Sequence, residues 1–215
     1  MAESGEGFNS TAESTVFPFA SPCNMFLAGQ SQSGKSYFIR NLLEHGRSMF
    51  EKPVRKTLFC YSMWQRLYDE LETKYPEWGL GTLEFHKGLP TEDFILSWAR
   101  DGEEEATGKE NSHKVLVLDD MIEEVCRNLT ACKLFTVTGH HANITVCILS
   151  QSLFPAGAFG KYGRTVSLNS HYLVLFKNNR DRSQIVTLAK QVCPGQGSFL
   201  QEAFIKATEK DRYGY

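Results

Sequence analysis

No apolar stretch in the sequence approaches the roughly 20 residues that a membrane-spanning helix requires, which excludes a helical channel or carrier. Met1 to Thr15 has neither the basic nor the apolar region of a signal peptide. Rich in Glu, Ser and Gly, residues 1–15 read as a flexible N-terminal tail, and an intracellular protein is the expectation. There is no C-x-x-C pair among the six cysteines, so the spacing of a zinc site is missing. Cys23, Cys60 and Cys147 lie in or beside strand-like apolar runs, where a reduced buried thiol is the usual case, and Cys126, Cys132 and Cys193 show no ligand spacing. His140 and His141 are adjacent rather than helix-spaced, a weak pattern for a metal. Basic blocks are missing too. The formal net charge is −2, so contact with nucleic acid has to come from local loops or from an assembled ring. Internal repeats and a composition shift are also absent, and 215 residues suit one large α/β domain over 16–215.

What is present begins with Gly29-Gln-Ser-Gln-Ser-Gly-Lys-Ser36, a complete G-x-x-x-x-G-K-[ST] phosphate-binding loop. The context supports the string. An apolar run, Cys23 to Ala28, precedes it, and the helix-like stretch Tyr37 to Glu44 follows. In such a loop the backbone N–H groups of Gly29, Gln30, Ser31, Gln32, Ser33, Gly34, Lys35 and Ser36, with the helix N-terminus, cradle a polyphosphate. Gly29 and Gly34 permit the unusual backbone and its close approach to phosphate. Lys35 reaches the β- and γ-phosphates, and Ser36 offers a ligand to Mg²⁺. A nucleoside triphosphate is the predicted ligand.

Further along, Thr57 to Tyr61, Leu83 to His86, Val115 to Leu118, Ile144 to Leu149 and Tyr172 to Phe176 read as strands. Helical patterns cover Trp64 to Lys74, Thr91 to Arg100 (with Thr91 as N-cap), Met121 to Cys126, Thr130 to Thr138, Asp181 to Gln191 and Ser198 to Lys210. Lys52 to Lys56 reads as a basic connector, and the polar Asp101 to Ser112, with three consecutive glutamates, as an exposed loop. This alternation predicts a mostly parallel sheet with helices on both faces.

The run Val115 to Asp120 ends an apolar strand in two carboxylates, the form of a Walker B motif. Asp119 is placed at the strand's carboxyl end, where α/β sheets bind ligands, and is the second predicted Mg²⁺ ligand opposite Ser36. Asp120 is placed to orient or deprotonate the attacking water, with a shorter reach than Glu. Glu123 and Glu124 are backups, equally explained as acids at a helix start. Gln151, at the tip of the next strand, is either a γ-phosphate sensor or an ordinary strand-end glutamine.

With these residues assembled, the chain resembles the FtsK/HerA-type genome-packaging ATPases, in particular those of large eukaryotic DNA viruses, virophages and Maverick/Polinton elements. Beyond the two Walker segments, the resemblance rests on Gly139-His-His-Ala-Asn-Ile144, Ser150-Gln-Ser-Leu-Phe154, Leu168-Asn-Ser-His-Tyr172 and Phe176-Lys-Asn-Asn-Arg-Asp181. It covers most of Phe17 to Tyr215. It implies an additional-strand (ASCE) P-loop NTPase fold, with a further strand between those bearing Walker A and Walker B. It implies ATP and Mg²⁺ as cofactors and a homo-oligomeric ring that drives double-stranded DNA into a capsid, with a capsid or portal protein as partner. The host nucleus, a cytoplasmic viral factory or the virion would then be its location. The resemblance makes Gln151 the polar sensor and places Asn169, His171, Asn178, Arg180 and Asp181 in the family's signature without assigning their individual roles. A ring motor often supplies an arginine to its neighbour's γ-phosphate. Arg164, in the Gly/Lys-rich loop after the sensor strand, and Arg180, after the last core strand, are the candidates, although Arg180 is as well placed to cap a helix or pair with Asp181.

The chain ends at Tyr215 where relatives continue, so a shortened carboxyl terminus is expected, and no nuclease domain is evident. Two other readings compete. A P-loop nucleoside or nucleotide kinase would share Walker A but needs an acceptor pocket and an Arg-rich lid. A nucleotide-gated assembly factor would bind ATP and barely hydrolyse it, with Asp120 in place of the usual Glu as its support.

Overall fold

Apolar runs too short for helices and bounded by glycine or polar residues become the strands of the protein, described here from a computed structural model covering residues 17–101, 112–154, 162–178 and 181–209. The strands are β1 (Asn24–Ala28), β2 (Val54–Tyr61), β3 (Thr82–Lys87), β4 (His113–Asp119), β5 (Ile144–Ser150) and β6 (Tyr172–Leu175). They form one sheet in the order β3-β2-β4-β5-β1-β6, and every pairing is parallel. Parallel neighbours need crossovers, and helices supply them: α1 (Lys35–Glu44), α2 (Gly46–Met49), α3 (Arg66–Trp78), α4 (Glu92–Arg100), α5 (Ile122–Arg127), α6 (Leu129–Lys133), α7 (Gly139–His141) and α8 (Gly163–Leu168); α9 (Ser183–Val192) and α10 (Gly197–Glu209) follow β6.

Each central strand is buried on both faces, which explains why β4 and β5 read as unbroken apolar runs rather than alternating ones. Alternate residues serve opposite layers. Met25, Leu27, Val115 and Val117 pack with Ile39 and Leu43 of α1 and Leu67, Tyr68 and Leu71 of α3. Phe26, Leu116, Leu118 and Ile148 pack with α4, α5, α6, α8 and α9. The expected sheet with helices on both faces is therefore present. β5 lies between β1 and β4, so another strand separates the Walker A strand from the Walker B strand. Thr91 caps α4 as its sequence predicts, its hydroxyl accepting from the Phe94 amide at 3.2 Å.

Several expectations are corrected. Val54 to Lys56, read as connector, belongs to β2, because pairing with β4 extends the strand through these residues across a register shift. α3 starts at Arg66 rather than Trp64 and runs past Lys74 to Trp78, with Pro76 inside its last turn. The single helix predicted over Thr130 to Thr138 is α6 followed by a π-helical turn, Leu134–Thr138, which leads into α7. Helices α2 and α8 were not anticipated, and α8 takes Arg164 out of the loop where it was expected. The amphipathic spacing that marks a helix needs more turns than either of these short elements has. The tail at 1–15, most of the charged loop and Arg180 lie outside the described residues. Among the described residues no helix is long and apolar enough to cross a membrane.

Candidate active site

The loop after β1 is shaped by contacts with both neighbouring strands. Gly29 donates its amide to the Ser150 carbonyl of β5 at 3.1 Å, and the Phe176 amide, just past β6, donates to the Ala28 carbonyl at 2.8 Å. A side chain at Gly29 would lie 2.5 Å from Phe176 Cβ and 2.7 Å from Ser33 Oγ, so only glycine fits. Gln32 and Gly34 adopt left-handed backbone, with φ of 61° and 100°. These turns deliver the chain into α1, whose first turn carries no acidic residue and whose N-cap, Gly34, supplies no capping side chain. The N–H groups there are left to an external acceptor, which suits an anion. Ser33 Oγ is buried and has no hydrogen-bond partner among the described residues. Lys35 is buried too. Its ammonium donates to the carbonyls of Gly29, at 2.6 Å, and Gln30, at 3.0 Å. Burial lowers its pKa, opposed by the charges of Asp120 and Asp119.

Asp119, the last residue of β4, is 3% exposed and receives two hydrogen bonds on one oxygen, from Ser36 Oγ at 2.9 Å and from Tyr68 Oη at 2.8 Å. Burial raises its pKa, against these two hydrogen bonds; Asp120 adds to the rise and Lys35 opposes it. Tyr68 is the site residue that sequence reading missed. In α3 it looks like one more apolar position, and its ring does pack among Phe59, Trp64 and Phe85 at centroid distances of 4.9, 5.5 and 5.9 Å. Only the meeting of α3 with β4 reveals that its hydroxyl ends on a carboxylate. A buried Tyr on the core face of the helix after β2 is a signal that could have raised it, since buried tyrosine hydroxyls usually find a polar partner. The oxygen donors Ser36 and Asp119 suit Mg²⁺, a hard cation that keeps several waters and shares substrate phosphates. Among the described residues no three His, Cys, Asp or Glu side chains gather as a self-sufficient metal cage.

Asp120 follows with φ of 57°, a left-handed conformation uncommon outside glycine, and its side chain is exposed. It lines a cleft of about 1050 Å³ together with Gln151 and Asp181. Glu123 and Glu124 also line the cleft, from the first turn of α5. The segment after β5 is tied to α9: Leu153 donates its amide to Gln184 Oε1 at 2.7 Å, and Gln184 Nε2 donates to the Asp181 carboxylate at 2.6 Å. Asp181 also accepts from Ser183, and these hydrogen bonds, Ser183 first, lower its pKa. Its amide donates to Asn178 Oδ1.

The structure thus gathers Gly29 to Ser36, Asp119, Asp120 and Gln151 at the carboxyl edge of the sheet. Arg164 stands apart on α8, exposed, two residues before the core residue Val166. Asn169 and His171 lie at the opposite edge, holding the start of β1. The Asn24 amide donates to His171 Nδ1 at 2.9 Å, and Asn24 Nδ2 donates to the carbonyls of Asn169 and Phe135, both at 2.8 Å.

No protein-family model matches the sequence, and no curated protein does. Solved structures do. The genome packaging NTPase B204 from Sulfolobus turreted icosahedral virus 2, in complex with sulfate, is 13% identical over 83% of this chain and 85% of that chain, with a TM-score of 0.50. The same protein in complex with ATP-gammaS is 12% identical over 83% and 86%, again with a TM-score of 0.50. B204, the DNA-packaging ATPase from Sulfolobus Turreted Icosahedral Virus, is 14% identical over 84% and 88%, with a TM-score of 0.51. At such identities the likeness is one of backbone architecture. Together with β5 lying between the Walker strands, it shows that the chain has the additional-strand P-loop NTPase fold.

Proposed function

We propose that the protein is a Mg²⁺- and ATP-dependent DNA translocase that, as a homo-oligomeric ring, packages double-stranded viral DNA into a capsid. The observation that carries the nucleotide part is the convergence on one sheet edge of an uncapped helix start, Lys35, the Ser36–Asp119 pair and the Asp120–Gln151 cleft. The packaging part is supported by the motifs that resemble packaging ATPases and by the likeness in fold to B204.

In this mechanism the N–H groups of Gly29 to Ser36 and the start of α1 hold the phosphates. Lys35 exchanges the Gly29 and Gln30 carbonyls for β- and γ-phosphate oxygens. Ser36 and Asp119 would hold Mg²⁺, with Tyr68 fixing the carboxylate; the ion would neutralise charge developing on the transferring phosphoryl group. Asp120 takes the proton of the water that attacks the γ-phosphorus as the bond to ADP breaks. Gln151 orients that water. Being next to Ser150, whose carbonyl anchors Gly29, and close to the Leu153–Gln184–Asp181 chain, it also passes the phosphate state to α9. Arg164 and Arg180 are the candidates for completing a neighbour's site in the ring. Such a ring would work beside a capsid or portal protein, in the nucleus, in a viral factory or on the virion.

The test is steady-state ATP hydrolysis with and without long double-stranded DNA, beside Lys35→Ala and Asp120→Asn. Stimulation by DNA that both substitutions abolish is expected. Hydrolysis indifferent to DNA in the assembled ring would reject translocation, and phosphorylation of an added nucleoside would point to a kinase.

A further inference from the structure

Two groups of side chains beyond the carboxyl edge have no part in the nucleotide site, and they stand toward opposite ends of the sheet. The first follows β2. Met63, 76% exposed, and Trp64 lie in the turn between β2 and α3. Trp64 is held in place there, its ring edge-on to Tyr61 at 5.1 Å and its indole N–H donating to Asp69 at 2.9 Å. The second group follows β6. Helix α10 carries Phe199, Leu200, Phe204 and Ile205, yet Thr208 is its one buried residue, and its packing is chiefly on α9. Phe199 remains 67% exposed and Ile205 42%. Phe204 and Ile205, with Ile185 of α9, wall a cavity of about 250 Å³ whose charged groups are Lys177, Arg182 and Glu209. The strand order puts four spacings, roughly 19 Å, between β2 and β6, so the two groups do not meet within one chain.

Form and charge make the two groups complementary. The cavity is smaller than the roughly 300–1,000 Å³ of small-molecule sites and suits an inserted side chain. Met63 and Trp64 are of the kinds that protein interfaces favour, an adaptable thioether and an aromatic anchor. Lys177 and Arg182 meet their opposite in Asp69, and Glu209 meets its opposite in the exposed Arg66. Among the described residues the salt bridge is Arg40 with Glu44, so these five charges are not paired within the chain. We infer that the cavity between α9 and α10 receives Met63 and Trp64 of a second copy of this chain, with Lys177 and Arg182 facing that copy's Asp69. Such a contact joins different faces of the two copies. It is head-to-tail, and repeated with a rotation that closes it makes a ring. The inference rests on the ring reading and deepens it by naming the surfaces that join the subunits. It also reaches the chemistry, because Trp64 packs on Tyr68 at 5.5 Å and Tyr68 donates to Asp119.

The test is sedimentation of the full chain over a range of concentrations, beside Met63→Asp and Ile205→Asp. Both residues are exposed, so each variant should keep the wild-type melting temperature, which shows that it is folded. Wild type should self-associate, and each variant alone should do so about 10- to 100-fold more weakly, the loss of an interface anchor. Mixed one to one, the two variants should form a dimer and nothing larger. Met63→Asp keeps an intact cavity and Ile205→Asp an intact Met63, so one contact survives between them and no second one can. Self-association retained by either variant, or a mixture that stays monomeric, would overturn the proposal and leave the ring reading standing. Wild type that stays monomeric throughout, with and without ATP and DNA, would reject both.

Discussion

The two edges of the sheet carry the same kinds of residue and use them in opposite ways. At the carboxyl edge Gln32, Gly34 and Asp120 sit in left-handed or near-left-handed backbone, and Ser33 Oγ is buried without a hydrogen-bond partner among the described residues. A buried lysine and a buried carboxylate face the same space, each with its pKa moved toward neutrality by burial. At the amino edge the amide and side chain of Asn24 bond His171 and the carbonyls of Asn169 and Phe135, and so bind the start of β1 to the segment before β6 and to the π-helical turn. Around the phosphate loop, polar groups that leave bonds unmade suit a ligand, whereas those around the start of β1 complete their bonds within the protein and act as a scaffold. Motifs from the same resemblance fall on both sides of this division: Asn169 and His171 are scaffold, while Asp181 belongs to the site.

Substitutions should separate the edges. The largest effect is expected for Asp119→Asn, which should reduce ATP turnover by about 10²- to 10³-fold, a magnitude typical of losing one transition-state electrostatic group. The same change should raise the melting temperature of the ligand-free protein at neutral pH. With a folded pKa above the unfolded value, Asp119 supports folding fully below its unfolded pKa, and that support is lost as pH rises through the folded pKa. An activity loss accompanied by lower stability would erase the contrast. Asn24→Ala, at the other edge, should cost about 2–3 kcal/mol in denaturant unfolding, since it removes one buried and one partly buried hydrogen bond, while nucleotide affinity of the folded fraction stays the same.

Tyr68→Phe keeps the ring packing and removes only the bond to Asp119. Turnover should fall about tenfold, in line with a hydrogen bond to a charged group, and the Mg²⁺ concentration for half-maximal activity should rise. An unchanged Mg²⁺ dependence would make Tyr68 a packing residue alone. Smallest near neutral pH is the effect of His113→Leu. His113 is buried against Phe50 at the start of β4, and burial pushes its pKa down to about 4. Because its folded pKa is depressed, stability is complete above the unfolded value near 6.5 and drains away as pH falls toward about 4. Stability measured between these pH values should be flatter in the variant than in the wild type.

Much of this was legible in the chain itself. The Walker segments, the buried strands β4 and β5 and the helices α1, α4, α9 and α10 follow from local spacing, because the hydrophobic period and the glycine positions are properties of neighbours in sequence. Short elements were not legible: α2 and α8 are too brief to show a period, and the π-helical turn is a departure from the period itself. Val54 to Lys56 became strand because β4 lay beside it to accept the pairing, which no local pattern foretells.

For the site, the sequence by itself determined the phosphate loop, the two carboxylates at the end of β4 and the polar residue after β5, since each is a motif of adjacent residues ending a strand. Tertiary structure alone decided which of them meet. Placing β5 between β1 and β4 brought Ser150 onto Gly29, and packing α3 on β4 brought Tyr68 onto Asp119. The packing of α10 on α9 closed a cavity lined by residues of both helices and of the segment after β6. Such contacts join residues far apart in the chain, and they depend on strand order and helix packing, which are settled only when the whole apolar surface is buried at once.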